Sequence, residues 1–313
     1  MRPRGCWAGS SAFIAGSAAE MRAFPSNELP ITGASCWRWS RAVASRLILM
    51  LLTGFMWGAP SVAHAAIDEA HSAFDALLRR HVAWDTAGVA SSVSYRGLAA
   101  ERAELGKVLD LYAGVSRADY EAMSRDHRLA FLINLYNAAT LELVLGGYPD
   151  LKSIRDLGSL IRSPWKQRIV RLFGELRTLD DIEHGMIRTP GVFDEPRIHF
   201  VVNCASIGCP ALRPEAITGA RLQAQLEDST RRFMRDASRN RYDPVKGRLE
   251  VSKIFDWYRA DFERGWLGIA SREQFFARYA DLLAIPSADR ARLDEQRMPI
   301  GFLDYDWRLN DRR

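Results

Sequence analysis

The sequence lacks several of the patterns by which enzyme classes are recognised. It has no glycine-rich phosphate loop, no Gly-x-Ser-x-Gly elbow and no His-Glu-x-x-His pattern. These absences argue against nucleotide hydrolases of the P-loop type, serine enzymes with a nucleophile elbow and zincin metalloproteases. The chain also has no internal repeat and no low-complexity segment, so it is expected to fold as one unit rather than as an array.

Long apolar runs are scarce too, and the one near the N-terminus is short. The segment 47–57 follows Arg41 and Arg46, and it falls short of the roughly 20 apolar residues that a transmembrane helix needs. Ala63-His-Ala65 then supplies a small-x-small cleavage pattern. This layout predicts a signal peptide cut after Ala65, with residues 1–65 as leader and 66–313 as the mature domain. The mature protein is expected in the periplasm or secreted, without a membrane anchor.

Cysteine and net charge are both low once the leader is removed. The full chain has 43 Lys and Arg against 38 Asp and Glu, and the leader holds six Arg and two Glu, so 37 and 36 remain. A chain this close to neutral gives no electrostatic footprint for nucleic acid. Of four cysteines, Cys6 and Cys36 leave with the leader, so only Cys204 and Cys209 belong to the mature protein.

Residues 66–313 alternate between helical and strand-like patterns, which predicts an α+β fold. The expected architecture is a helix-rich single domain around a small, mostly antiparallel sheet. The predicted helices cover residues 67–84, 98–112, 125–145, 179–188, 213–236 and 253–263, with one more from 271, and the predicted strands cover 168–173, 176–178, 248–251 and 300–309.

Helix 125–145 is apolar nearly all round and is predicted to be the central helix of the domain. Gly146 and Pro149 are expected to end it. Asn134 and Asn137 lie within it and should be partly buried, where their amides need partners. They are expected either to satisfy neighbouring backbone groups or to form part of an active-site wall that contacts substrate.

The segment 197–213 concentrates the reactive side chains. The apolar residues 198–202 follow Pro196 and predict a buried strand. A loop then carries Asn203, Cys204, Ser206 and Cys209. Because a rigid element positions a loop while leaving its groups accessible, this loop is the predicted functional centre.

The chain resembles the family known as domain of unknown function 547. The resemblance is carried by separated blocks that occur in the order found in that family: residues 131–138, 179–184, 197–200 with 204–210, 252–262 and 302–310. It implies a unit of about one domain that is often exported in bacteria. It implies no established reaction.

One hypothesis for the loop is thiol catalysis. An imidazole next to a cysteine lowers the pKa of the thiol and carries its proton, which makes His199 the expected base for Cys209 or Cys204. Cys209 is preferred as nucleophile because it precedes a predicted helix start. Asn203 or Asn137 would orient groups or stabilise an oxyanion, and His184 is the alternative base. The reaction class would be thiol-dependent hydrolysis or acyl transfer.

The alternative hypothesis is a binding or scaffold module without catalysis. Two cysteines in an exported protein commonly form a disulfide, and a Cys204–Cys209 disulfide would shape the loop. Arg197, His199 and Arg213 would then contact a small-molecule or peptide ligand, since arginine suits carboxylate or phosphate groups. Ser206 is a further expected ligand contact.

Metal, redox and carboxylate chemistry are less well supported. The Cys-x4-Cys spacing is not the Cys-x2-Cys of thioredoxin-like proteins, and adding His184 and His199 reproduces no zinc-finger spacing. Neither a metal nor a cofactor is therefore predicted. Glu183 and His184 are expected on a solvated helix face. Asp256 and Asp261 are not expected to form a catalytic pair, and the aromatic residues at 257, 258, 262, 305 and 307 are expected in the core and its rim.

Overall fold

The computed structural model of the protein describes residues 62–159 and 162–312. The leader up to residue 61 lies outside the described residues. The predictions of a signal peptide, of a cut after Ala65 and of export therefore stay predictions.

Helices make up about half of the described chain, and short strands make up a much smaller part. The fold class is α+β, as predicted. The α-helices are α1 Val62–His81, α2 Tyr95–Ala100, α3 Arg102–Ala113, α4 Arg117–Ala122, α5 Arg125–Leu145, α6 Leu179–Ile182, α7 Leu222–Arg235, α8 Ile254–Trp257, α9 Arg259–Phe262, α10 Arg272–Arg278 and α11 Ser287–Asp294. Single 3-10 turns cover Ile154–Leu157, Pro164–Lys166, Pro196–Phe200 and Gly219–Arg221, and a π-helical turn covers Glu183–Ile187.

Helix α5 is the central helix, with the bounds that the sequence predicts. The Ser124 side chain accepts a hydrogen bond from the backbone N–H of His127 at its start, and Gly146 caps its end. By length and composition α5 is apolar enough to cross a membrane, but 89% of its most apolar window is buried inside this domain. Helices α1 and α3 pack against α5 and against each other. This helix therefore forms the centre of the larger hydrophobic core.

The strands form three small sheets rather than one. Strands β1 (Val82–Trp84) and β2 (Ser91–Val93) form one antiparallel pair, and β3 (Val170–Leu172) and β4 (Glu175–Arg177) form another. The third sheet has the order β5-β6-β7: β6 (Arg248–Ser252) pairs antiparallel with β5 (Arg241–Asp243) and parallel with β7 (Ile300–Leu303). The sheets are mostly antiparallel, as expected, and the 170–177 hairpin confirms the predicted one.

The segment predicted as a buried strand, residues 198–202, is instead part of a 3-10 turn, Pro196–Phe200, and the residues that follow it. Ile198 and Val201 pack in the larger core around α5, whereas Phe200 packs in a second, aromatic core around Phe255 and Phe275. A segment buried on both sides carries no alternating pattern, so apolar residues alone do not separate strand from turn. The turn joins the two cores and holds His199 between them.

Other predicted elements are interrupted or shorter. The helix predicted over 98–112 is divided at Glu101, and the one over 253–263 is divided at Tyr258. The helix predicted from residue 213 begins only at Leu222, after a 3-10 turn, and the last predicted strand ends at Leu303. At these positions tertiary contacts outweigh local propensity.

Candidate functional site

A cavity of about 210 Å³ opens beside the cysteine loop. It collects side chains from α5, α6 and α8, from the 3-10 turns Pro164–Lys166 and Pro196–Phe200, from the π-helical turn, from the cysteine loop and from the C-terminal segment. Its lining residues are Tyr136, Trp165, Asp180, Glu183, His184, His199, Val202, Cys204, Cys209, Pro210, Ile254, Trp257, Tyr258, Tyr305 and Trp307. Residues far apart in the sequence therefore meet around the two thiols.

Both cysteines are free thiols. Their sulfurs are hydrogen bonded at 2.9 Å, which is longer than the roughly 2.05 Å of a disulfide bond. The Tyr305 hydroxyl lies 3.0 Å from the Cys204 sulfur. Cys209 is only 5% exposed, whereas Cys204 is partly exposed. The structure thus contains no Cys204–Cys209 disulfide, and Cys204 is the more accessible of the two.

The two thiols differ in acidity because the hydrogen bond between them favours the ionised form of Cys204, whereas burial favours the neutral form of Cys209. The hydrogen bond from Cys209 lowers the pKa of Cys204, and those from Tyr305 and Ser206 act in the same direction. Burial raises the pKa of Cys209 well above its ordinary value, and the neighbouring Cys204 raises it further. Cys204, not the preferred Cys209, is therefore the thiol that ionises first.

The backbone after Cys204 is held in an unusual conformation. Ala205 has a φ of 61°, in the left-handed region that residues with a Cβ seldom adopt. The side chain of Asn203 accepts from the Ala205 N–H at 2.8 Å and donates to the Pro210 carbonyl at 2.8 Å. Such strain persists only where surrounding contacts impose it, and it is concentrated at functional sites.

The loop is also tied to α5 through Asn137. Its side chain accepts from the Asn203 N–H at 2.9 Å and donates to the Val201 carbonyl at 2.9 Å. Neither asparagine lines the cavity. Of the two expectations for Asn137, the structure therefore shows satisfaction of loop backbone. Asn203 likewise positions the loop and does not face the cavity as an oxyanion donor.

A close approach of two backbone segments brings Tyr305 to the thiols. The Gly208 N–H donates to the Asp306 carbonyl at 2.9 Å, and the Ile207 N–H donates to the Arg308 carbonyl at 2.8 Å. A Cβ at position 208 would lie 2.9 Å from the Asp306 nitrogen, so only glycine fits here. The C-terminal segment is thus packed directly on the cysteine loop.

His199 is buried, with 2% exposure, and is bonded to a carboxylate rather than to a thiol. Its Nε2 lies 2.7 Å from the Asp261 carboxylate, its ring stacks on Tyr258 at 3.9 Å, and its Nδ1 has no hydrogen-bond partner. Burial lowers the pKa of His199 although Asp261 opposes this effect, so the imidazole is neutral. In the described residues no hydrogen bond joins a thiol to an imidazole, contrary to the simplest form of the thiol hypothesis.

The spacing of Asp256 and Asp261 predicts no catalytic pair, but tertiary packing brings Asp261 to His199. Burial alone would raise its pKa, but hydrogen bonds from His199 and Arg188 hold the pKa of Asp261 well below its usual range. Arg264 lies 2.9 Å from its other oxygen. Asp261 is therefore an ionised partner that orients the His199 ring.

Glu183 does not lie on a solvated helix face as expected. It is 4% exposed and begins the π-helical turn that follows α6, a distortion frequently found at functional sites. Burial raises the pKa of Tyr258, and the nearby Glu183 carboxylate raises it further, so the Tyr258 hydroxyl stays protonated. Glu183 Oε1 has no hydrogen-bond partner. The next residue, His184, is about half exposed and lines the cavity.

Four other predicted contacts lie away from the cavity lining. Asn134 donates to the Ile217 carbonyl at 2.7 Å and accepts from its N–H at 3.0 Å. Ser206 is buried and donates to the Cys204 carbonyl at 3.3 Å. The two arginines are already paired with carboxylates: Arg197 lies 2.7 Å from Glu195, and Arg213 lies 2.6 Å from both Glu215 and Asp228.

The sequence interpretation missed the aromatic wall as part of the site. Trp257, which is 45% exposed, lies 4.9 Å from Tyr305 and 5.7 Å from Trp307 between ring centroids. Trp165 lies 6.1 Å from Trp307. The sequence predicts core and rim positions for Trp257, Tyr305 and Trp307 and makes no prediction for Trp165. Those three residues lie in blocks that carry the family resemblance, and this was the available indication of a role in the site.

Fold and cavity together define a helix-rich α+β protein with a thiol-containing, aromatic-walled pocket. Residues 120–234 match the family described as protein of unknown function, DUF547. The predicted resemblance to the DUF547 family is thus confirmed over these residues. Comparison with curated proteins and with solved structures finds no match. Among the described residues, no group of three or more His, Cys, Asp or Glu side chains is arranged to hold a metal ion.

Proposed function

We propose that this protein is a thiol-dependent hydrolase or acyl transferase in which Cys204 is the nucleophile. The observation that carries the proposal is a partly exposed cysteine that is hydrogen bonded to Cys209 and Tyr305 and lines a cavity. A thiolate is the reactive form of cysteine, and stabilising it at neutral pH is what a thiol enzyme requires.

His199 is the proposed base, oriented by Asp261. In the first half of the reaction His199 takes the proton of the Cys204 thiol, and the sulfur adds to the substrate carbonyl carbon. The bond to the leaving group breaks, the leaving group takes that proton, and a thioester remains. Water or a second acceptor then gives a proton to His199 and attacks the thioester carbon. The bond between that carbon and the Cys204 sulfur breaks, the product leaves, and the proton returns from His199 to Cys204.

Two features support this role for His199. Its Nε2 is occupied by Asp261 and its Nδ1 is unpartnered, so the nitrogen that exchanges protons is available. His199 and Cys204 line the same cavity. Hydrogen bonds between catalytic groups are often long or absent without substrate and tighten in the complex.

The test uses an activated ester, whose acyl group would be transferred to the nucleophilic thiol. The protein is mixed with 4-nitrophenyl acetate, and intact mass and peptide mapping follow the acetyl group. We expect one acetyl group on Cys204, nitrophenol release that Cys204→Ala abolishes, and at least a tenfold loss in His199→Gln. Ser271→Ala, which changes a helix cap outside the cavity, is the control. Equal ester cleavage by Cys204→Ala would refute the proposal.

A second candidate function is a binding module whose ligand occupies the same aromatic cavity. The observation favouring it is the short separation of the thiols, since a disulfide would need the sulfurs to approach by less than 1 Å from 2.9 Å. We propose export for the mature chain, and an oxidising compartment would favour that bond. Iodoacetamide labelling of periplasmic protein separates the two functions: labelling only after reduction supports the module.

A further inference from the structure

The cavity is richer in acidic groups than in basic ones. Glu183, Asp180 and the acidic thiol Cys204 line it, and His184 is the single basic side chain in the lining apart from the neutral His199. The arginine nearest to these groups, Arg188, is bonded to Asp261 and His184. A substrate group bound here therefore lies beside more acidic side chains than basic ones.

One carboxylate oxygen in the cavity wall accepts no hydrogen bond. Glu183 Oε1 is buried without a hydrogen-bond partner, and the nearest basic nitrogen, His184 Nδ1, is 4.0 Å away. Leaving a buried ionised oxygen unpaired costs more than leaving a neutral one unpaired. The π-helical turn that Glu183 begins places the carboxylate in this position. A ligand N–H donor would complete its coordination.

Aromatic rings form another part of the cavity wall. Trp165, Trp257, Trp307 and Tyr305 contribute rings, and cations bind favourably over the faces of such rings. Two guanidinium groups already use this attraction nearby: Arg155 lies 5.2 Å from the Trp307 centroid and Arg188 lies 4.6 Å from that of Tyr258. Within the described part of the chain, no guanidinium or ammonium group lies over the rings of Trp165 and Trp257.

We infer that the substrate carries a primary ammonium group, which binds in this cavity between the Glu183 carboxylate and the aromatic wall. A buried carboxylate supplies charge and an acceptor, and the rings supply a surface that favours cations over neutral groups. The ammonium is a recognition group, separate from the carbonyl carbon that Cys204 would attack. Only the attack of Cys204 on that carbonyl carbon rests on the proposed function; binding of the ammonium group does not.

Benzylammonium is a suitable probe, and benzyl alcohol is its neutral counterpart of similar size. Binding to the full chain is followed by tryptophan fluorescence and by calorimetry. We expect benzylammonium to bind at least tenfold more tightly than benzyl alcohol. Glu183→Gln should remove that preference, whereas Glu121→Gln, which changes an exposed carboxylate outside the cavity, should retain it. Benzylammonium should also slow alkylation of Cys204 by iodoacetamide.

Several outcomes would overturn the inference. Equal affinity for the two probes, or tighter binding of phenylacetate, would show that the cavity does not select an ammonium group. If Glu183→Gln fails to fold, protection of Cys204 from alkylation in the unchanged protein decides instead. Benzylammonium binding by an unchanged protein that shows no Cys204-dependent ester cleavage would refute the proposed function and leave the ammonium site standing. Cys204-dependent ester cleavage without benzylammonium binding would refute the ammonium site and leave the proposed function standing.

Discussion

Replacing Cys209 by alanine should make the Cys204 thiol markedly less acidic. The Cys209 side chain is hydrogen bonded to the Cys204 sulfur at 2.9 Å, and this bond is the largest cause of the lowered pKa of Cys204. A hydrogen bond to a charged group contributes about 1.5 to 3 kcal/mol. At about 1.4 kcal/mol for each pKa unit, its loss should raise the pKa of Cys204 by about one to two.

The assay is the rate of alkylation by iodoacetamide as a function of pH, with peptide mapping to assign the label to Cys204. Below the pKa the rate follows the thiolate fraction, so Cys209→Ala should react about 10 to 100 times more slowly than the unchanged protein. Cys209→Ser retains a hydroxyl donor at the same position and should change the profile much less. An unaltered profile in Cys209→Ala would refute the view that Cys209 activates Cys204.

Two further predictions concern stability. Asn137→Ala leaves the Asn203 N–H and the Val201 carbonyl without their partner, so the free energy of unfolding should fall by about 2 to 4 kcal/mol in urea titrations; an unchanged midpoint would contradict this. Burial lowers the pKa of His71 to about 4, so the unfolded chain binds a proton below about pH 6.5 that the folded chain refuses. Stability should therefore decline as the pH falls from about 6.5 to 4, and His71→Gln should flatten that decline in thermal melts across this range. An equally steep decline in the variant would exclude His71 as its source.

Local features of the fold were predictable because their causes lie within a few residues of one another. Ser124 and Thr178 cap α5 and α6 through backbone N–H groups three residues ahead, and Gly146 ends α5. The 170–177 hairpin turns at Phe173 and Gly174, both at positive φ. Periodicity, caps and turn residues report on these elements directly.

The segment 198–202 shows where such reasoning fails. Its β-branched apolar residues favour a strand, but in the described chain it pairs with no neighbouring strand, and its carbonyls find other partners, among them Asn137. Burial against two cores at once removes the alternation by which strands are recognised. The same packing places His199 between the cores, beside Tyr258 and Asp261.

By itself the sequence determined the α+β class, the central helix, the family resemblance and the loop in which Cys204 and Cys209 lie, because composition, periodicity and motif order carry that information. Only the tertiary structure decided which thiol is the more acidic, which carboxylate is buried and which rings form the cavity. The Asp261 partner of His199 is 62 residues away, and the Tyr305 partner of Cys204 is 101 residues away. Acidity and burial at the site depend on neighbours brought together by packing over such separations, and no local pattern in the chain encodes them.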